Sequence, residues 1–137
     1  MTKPAITSRI RAMAEEIEPY VIEKRRYFHA HPELSMHEVK TSDALAAALD
    51  EIGVSYVRPY ETGLIVTIKG EAPNAYDENG KPHHCIALRS DIDALPVNEL
   101  TKVEYVSQNE GVMHACGHDM HTSILLGVAK ILKANQD

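Results

Sequence analysis

Residues 85–96, Cys85-Ile86-Ala87-Leu88-Arg89-Ser90-Asp91-Ile92-Asp93-Ala94-Leu95-Pro96, pass from a continuous apolar run into a pair of aspartates. An apolar run of this kind is the pattern of a strand buried on both faces. Alternation along an extended chain sends Asp91 and Asp93 to the same side. Carboxylates just past the carboxyl end of a strand stand where open α/β sheets build their sites. One of them could orient a metal-bound histidine or share the metal. An acidic turn capping the following segment explains the same residues equally well.

Upstream, Ile10, Met13, Ile17, Val21, Ile22 and Phe28 fall mostly at helical spacing and predict a helix from about Ala5 to Ala30. Pro19 is expected to kink it or to start a second helix. The helix should end at His31-Pro32, since a residue before proline is driven from helical geometry. A second helix is expected from near Glu38 to Ile52, with Gly53 as its C-terminal glycine. Val54–Val57 and Gly63–Lys69 are short and β-branched and predict strands. Residues 71–83 carry the Pro, Asn, Asp and Gly of a loop. Downstream, Ile124, Leu125, Val128, Ile131 and Leu132 predict a third helix over about Gly117–Ala134. Two helices, three strands and a helix make a layered α/β domain, a mixed sheet with flanking helices.

The 137 residues suit one domain, and 44% hydrophobic with 25% charged residues is a globular composition. A net charge of −6 argues against a general nucleic-acid binder, which needs a basic face to neutralise phosphates. No apolar run approaches the roughly 20 residues of a membrane span. The acidic residues of the first twenty positions do not fit a signal peptide. Two cysteines are too few for a disulfide scaffold, so the cytoplasm is the expected compartment.

The chemistry concentrates in Met113-His114-Ala115-Cys116-Gly117-His118-Asp119-Met120-His121. Thiolate and imidazole donors this close together suit zinc and its transition-metal neighbours. Cys116 and His118 flank Gly117, which lets the backbone fold tightly around an ion. They are the candidate ligands, with Asp119 a further possible donor. His114 and His121 are assigned to supporting the ligands, facing substrate, or structure. A cysteine-nucleophile reading of Cys116 with His118 is poorer, because residues so close in sequence rarely present a base to a nucleophile. The patch Arg25-Arg26-Tyr27-Phe28-His29-Ala30-His31 reads as a structural helix end carrying cations. His83 and His84 are expected in solvent, and Cys85 in the interior.

Three stretches in this order, His29 to Thr41 (HAHPELSMHEVKT), Ala87 to Glu99 (ALRSDIDALPVNE) and Gly111 to Gly127 (GVMHACGHDMHTSILLG), closely resemble a known family. It is that of the metal-dependent amidohydrolases: aminoacylases, hippurate hydrolases and plant auxin-conjugate hydrolases. The resemblance implies the N-terminal part of a zinc-peptidase-like catalytic domain that hydrolyses the amide bond of N-acyl amino acids or peptide-like conjugates. It implies two divalent ions per complete site (zinc, manganese, cobalt or nickel), with Cys116 and His118 as ligands and Asp93 as the supporting carboxylate. Asp91 falls where more distant relatives carry a ligand histidine. No nucleic-acid or membrane partner is implied, and full-length relatives are expected to dimerise.

In that family the third helix leads to a segment with two adjacent glutamates, one the general base and one a ligand. Later histidines and an inserted dimerisation and lid domain follow. Residues 1–137 therefore correspond to an incomplete catalytic domain, expected to be inactive alone and to hold metal weakly. The alternative is a non-catalytic module of the same ancestry that binds metal or pairs with a longer relative.

Overall fold

The computed structural model describes residues 3–137. Helix α1 spans Lys3–Ala30, 28 residues or about 42 Å at 1.5 Å per residue, and continues through Pro19 as one helix. Its end is fixed by His31, whose amide meets the carbonyls of Tyr27 and Phe28 at 3.1 and 3.2 Å. The His31 ring adds a second bond, donating from Nδ1 to the Tyr27 carbonyl at 2.7 Å. Pro32 then prevents continuation.

Helix α2 spans Val39–Ile52, and its N-cap residue Glu38 makes no capping bond. Glu33 performs that task from outside the helix, its Oε2 accepting from the Thr41 amide at 2.7 Å and the Thr41 hydroxyl at 2.8 Å. An acceptor with negative charge is favoured there by the free amides and the helix dipole. Gly53 closes α2 in the left-handed region, φ 78°. Helix α3 spans His118–Lys133.

Between α2 and α3 regular structure is sparse. Strands β1, Tyr56–Val57, and β2, Ile65–Val66, form a two-stranded antiparallel pair with Tyr56 opposite Val66 and Val57 opposite Ile65. Isolated bridges join Leu34 to Ala94 in parallel and Leu95 to Met113 in antiparallel fashion. The core gathers Phe28 of α1, Leu45, Ala48 and Leu49 of α2, Val54, and Leu126 of α3, with Ile92 packed against it. Helices α1 and α3 approach so closely at Gly127 that a Cβ there would stand 2.8 Å from Val21 Cγ2.

The strand expected over Cys85–Leu88 is not formed. Ile86 is 84% and Leu88 57% exposed, and Cys85 is exposed rather than interior. A strand exists only through its ladder bonds, and among the described residues nothing pairs with 85–88. The other two expected strands shrink to two residues each for the same reason. The result is a helix and small-sheet arrangement of α/β type. The expected loop over 71–83 is present, pinned by a bridge between Tyr76 and Pro82.

Candidate metal centre

Gly117 sits immediately before α3 with φ 83°, a left-handed conformation natural to glycine. It turns the chain between Cys116, whose thiol is free and exposed, and His118, the first residue of the helix. His118 Nδ1 lies 3.0 Å from the Asp93 carbonyl and 2.9 Å from Asp93 Oδ1. A backbone carbonyl only accepts, so Nδ1 carries the proton and Nε2 keeps its lone pair. A carbonyl or carboxylate on one ring nitrogen, with the other left to a metal, is the usual way a ligand histidine is oriented.

The aspartate segment is laid along α3 by a second contact. Thr122 Oγ1 donates to the Asp91 carbonyl at 3.0 Å, and Ser90 Oγ lies 3.2 Å from Thr122 Oγ1. Two extended residues advance about 6.6 Å and four helical residues about 6.0 Å, so contacts from 91 to 122 and from 93 to 118 match in spacing. The Asp91 carboxylate itself turns to Arg89.

His121 is exposed, its ring 6.1 Å from that of His118. His114 is 5% exposed, and neither ring nitrogen has a hydrogen-bond partner. Burial pushes its pKa down, further than the nearby Asp119 carboxylate restores it. The paired backbone bonds between Leu95 and Met113, both 3.0 Å, hold His114 beside the Asp93 segment.

Beneath the turn lies a network the sequence reading missed. His29, expected as part of a structural helix end, is 4% exposed and faces a carboxylate at each ring nitrogen. Nδ1 is 2.7 Å from Asp119 Oδ2 and Nε2 is 3.1 Å from Glu99 Oε1. Arg25 Nε lies 3.1 Å from the same Asp119 oxygen. Arg25 also approaches His29 Nδ1 at 3.4 Å, too long to compete with the Asp119 contact. The guanidinium groups of Arg25 and Arg26 stand 4.9 and 5.2 Å from the Tyr105 ring centre. A signal was present: Asp119 shares one helical stripe with Thr122, Ser123 and Leu126, all buried, and a carboxylate on a buried stripe requires a cation.

The donors fit a divalent ion in kind but not yet in number. Cys116 offers a thiolate and His118 an oriented imidazole, while no group of three His, Cys, Asp or Glu side chains that could hold a metal occurs among the described residues. No helix of the described residues is long and apolar enough to cross a membrane.

Residues 87–137, which carry both the aspartate pair and the Cys116–His118 turn, match the family model described as Peptidase family M20/M25/M40. The chain is 47% identical over 114 residues to an uncharacterized hydrolase of Staphylococcus haemolyticus, a match covering 83% of this chain and 27% of that protein. It is 40% identical over 129 residues to an N-acyl-L-amino acid amidohydrolase of Geobacillus stearothermophilus, covering 93% of this chain and 32% of the relative. A Bacillus subtilis crystal structure, described as a dinuclear metal binding peptidase from the M20 family, superposes with a TM-score of 0.75 at 36% identity, over 92% of this chain and 32% of that one. A structure from methicillin resistant Staphylococcus aureus gives 0.82 at 37% identity, over 95% and 32%. The likenesses are thus to hydrolases and metal-binding peptidases. The likeness to the M20 peptidase family runs over residues 87–137, and the chain spans about a third or less of the length of these relatives.

Proposed function

We propose that this chain supplies the first part of the metal centre of an M20-type amidohydrolase acting on N-acyl amino acids or similar conjugates. The observation that carries the reading is the His118–Asp93 pair, in which the 3.0 Å contact to a backbone carbonyl leaves Nε2 free for a metal. Cys116 and His118 are the ligands, and Asp93 fixes the His118 ring. The 40% identity to an N-acyl-L-amino acid amidohydrolase supports the substrate class. The likeness to a dinuclear metal binding peptidase supports a site of two divalent ions, of the zinc, manganese, cobalt or nickel group.

Bound metal supplies electrophilic polarisation of the amide carbonyl and activation of water. Within the chain, Asp93 holds the proton at His118 Nδ1, and the Ser90–Thr122 and Asp91–Thr122 contacts keep Asp93 in register with α3. Burial lowers the pKa of His114, which favours its neutral form, and the exposed His121 supports the ligands, faces substrate or is structural. A catalytic zinc commonly takes three protein ligands, so the remaining ligands and the general base belong to chain beyond these 137 residues. Residues 1–137 are then an incomplete catalytic domain, inactive alone, and full-length relatives dimerise. The exposed free thiols Cys85 and Cys116 suit a reducing compartment such as the cytoplasm.

Cobalt titration tests the reading. The chain should develop near-ultraviolet thiolate-to-cobalt absorption that Cys116→Ser abolishes and His118→Ala weakens about tenfold or more. Cleavage of N-acetyl amino acids by the chain alone should be undetectable. Turnover within the ordinary enzyme range of roughly 1–1,000 per second would contradict the incomplete-site reading. Cobalt absorption that persists in Cys116→Ser would contradict the ligand assignment.

A further inference from the structure

His29 stands at the point where three separate parts of the chain meet. It closes the last turn of α1. Across 90 residues of sequence it reaches Asp119, in the first turn of α3, at 2.7 Å. Through its other nitrogen it reaches Glu99, on the segment that follows Asp93, at 3.1 Å. The two ring nitrogens thus each face a carboxylate. Glu99 is fixed independently, accepting the Ser107 amide at Oε2 at 2.7 Å and the Thr101 hydroxyl at Oε1. Asp119 is 1% exposed, so it cannot exchange His29 for water.

We propose that His29 is a positioning residue that locks the first turn of α3 to α1 and thereby sets where Cys116 and His118 stand. The inference rests on the metal-centre reading above. Its physical basis is that, among the described residues, no other side-chain bond from α1 reaches the turn. At Gly117 an added Cβ would meet nothing within 4 Å, so packing does not fix the backbone there. Asp93 holds His118 from one side. Among the described residues Asp119, the next residue, is the point at which α1 grips the turn from the other side, and His29 with Arg25 forms that grip. The two helix ends are complementary, since a cation belongs at the C-terminal end of α1 and an anion at the N-terminal end of α3. If the grip is released, the first turn of α3 is held only by the bonds from the Met120 and His121 amides to the Gly117 carbonyl, 3.0 and 3.1 Å, and helix ends fray, so Cys116 and His118 lose their fixed placement.

Two near-isosteric substitutions separate this from a merely structural role. Asparagine places its amide near the Nδ1 position and keeps a donor for Asp119. Glutamine reaches toward the Nε2 position and keeps a donor for Glu99. Cobalt affinity of the chain should fall about tenfold or more in His29→Gln, and should stay within about threefold of native in His29→Asn and in Glu99→Gln. Amide hydrogen exchange without metal should accelerate at residues 119–121 in His29→Gln alone. Equal loss of affinity in both His29 variants, tracking their loss of thermal stability, would overturn the proposal. Native affinity and native exchange in His29→Gln would overturn it as well. If the native chain gives no Cys116-dependent cobalt absorption, the metal-centre reading fails by itself, and the exchange arm still decides the positioning role: unchanged exchange in His29→Gln refutes it, and selective acceleration sustains it.

Discussion

At the scale of single residues, the orientation of His118 and the burial of Glu99 are set by neighbours distant in sequence. The strand-to-carboxylate pattern left open which aspartate orients a histidine and which shares a metal, the family resemblance pointed to Asp93, and Asp93 Oδ1 lies 2.9 Å from His118 Nδ1. The partnership of His29 with Asp119 and Glu99 was not, because nothing local pairs residues 70 and 90 positions apart. Glu99 also makes the acid behaviour predictable. Burial alone would push its carboxyl pKa up, but the bonds from Thr101, the Ser107 amide and His29 outweigh that and hold it below the ordinary glutamate value. As pH falls past about 4.3 the unfolded chain takes up the proton first. The stability contributed by Glu99 is therefore complete above that value and is lost as pH drops through the lowered folded value. Urea midpoints measured from pH 6 to pH 2.5 should decline more steeply for the native chain than for Glu99→Gln. Parallel curves would remove Glu99 from the acid response.

Among the elements, the three helices were legible almost to their ends, because each carries a long apolar period and a defined stop. Residues 5–30, 38–52 and 117–134 were expected, and Lys3–Ala30, Val39–Ile52 and His118–Lys133 are found. The run Cys85–Leu88 was misread, since a continuous apolar stretch reports that burial is intended and does not supply the strands that must lie beside it. The α1–α3 contact offers a test of packing. Alanine at Gly127 would gain up to about 1 kcal/mol of helix propensity. Its methyl would sit 2.8 Å from Val21 Cγ2 and 3.3 Å from Ile17 Cδ1. Val21 is β-branched and stiff in a helix, and overpacking of this kind costs about 1–3 kcal/mol. Gly127→Ala should therefore lower the unfolding free energy by about 1 kcal/mol in urea titration, and an unchanged or raised midpoint would show that the helices separate freely.

For the molecule as a whole, the family was legible because three separated motifs occur in order, and short spacings such as Cys116-Gly117-His118 survive without knowledge of the fold. The architecture was less so. The exposed Ile86 and Leu88 and the two-residue strands describe a chain whose layers are only partly assembled within these residues. The same holds for chemistry, where two candidate donors flank Gly117 and no group of three that could hold a metal occurs among the described residues. The central claim is that Cys116 and His118 together hold a divalent ion, and zinc K-edge X-ray absorption on the zinc-saturated chain tests it most directly. The account predicts one sulfur scatterer near about 2.3 Å and at least one imidazole nitrogen near about 2.0–2.1 Å, with the sulfur lost in Cys116→Ser. A shell of nitrogen and oxygen alone, identical in the native chain and in Cys116→Ser, would contradict it.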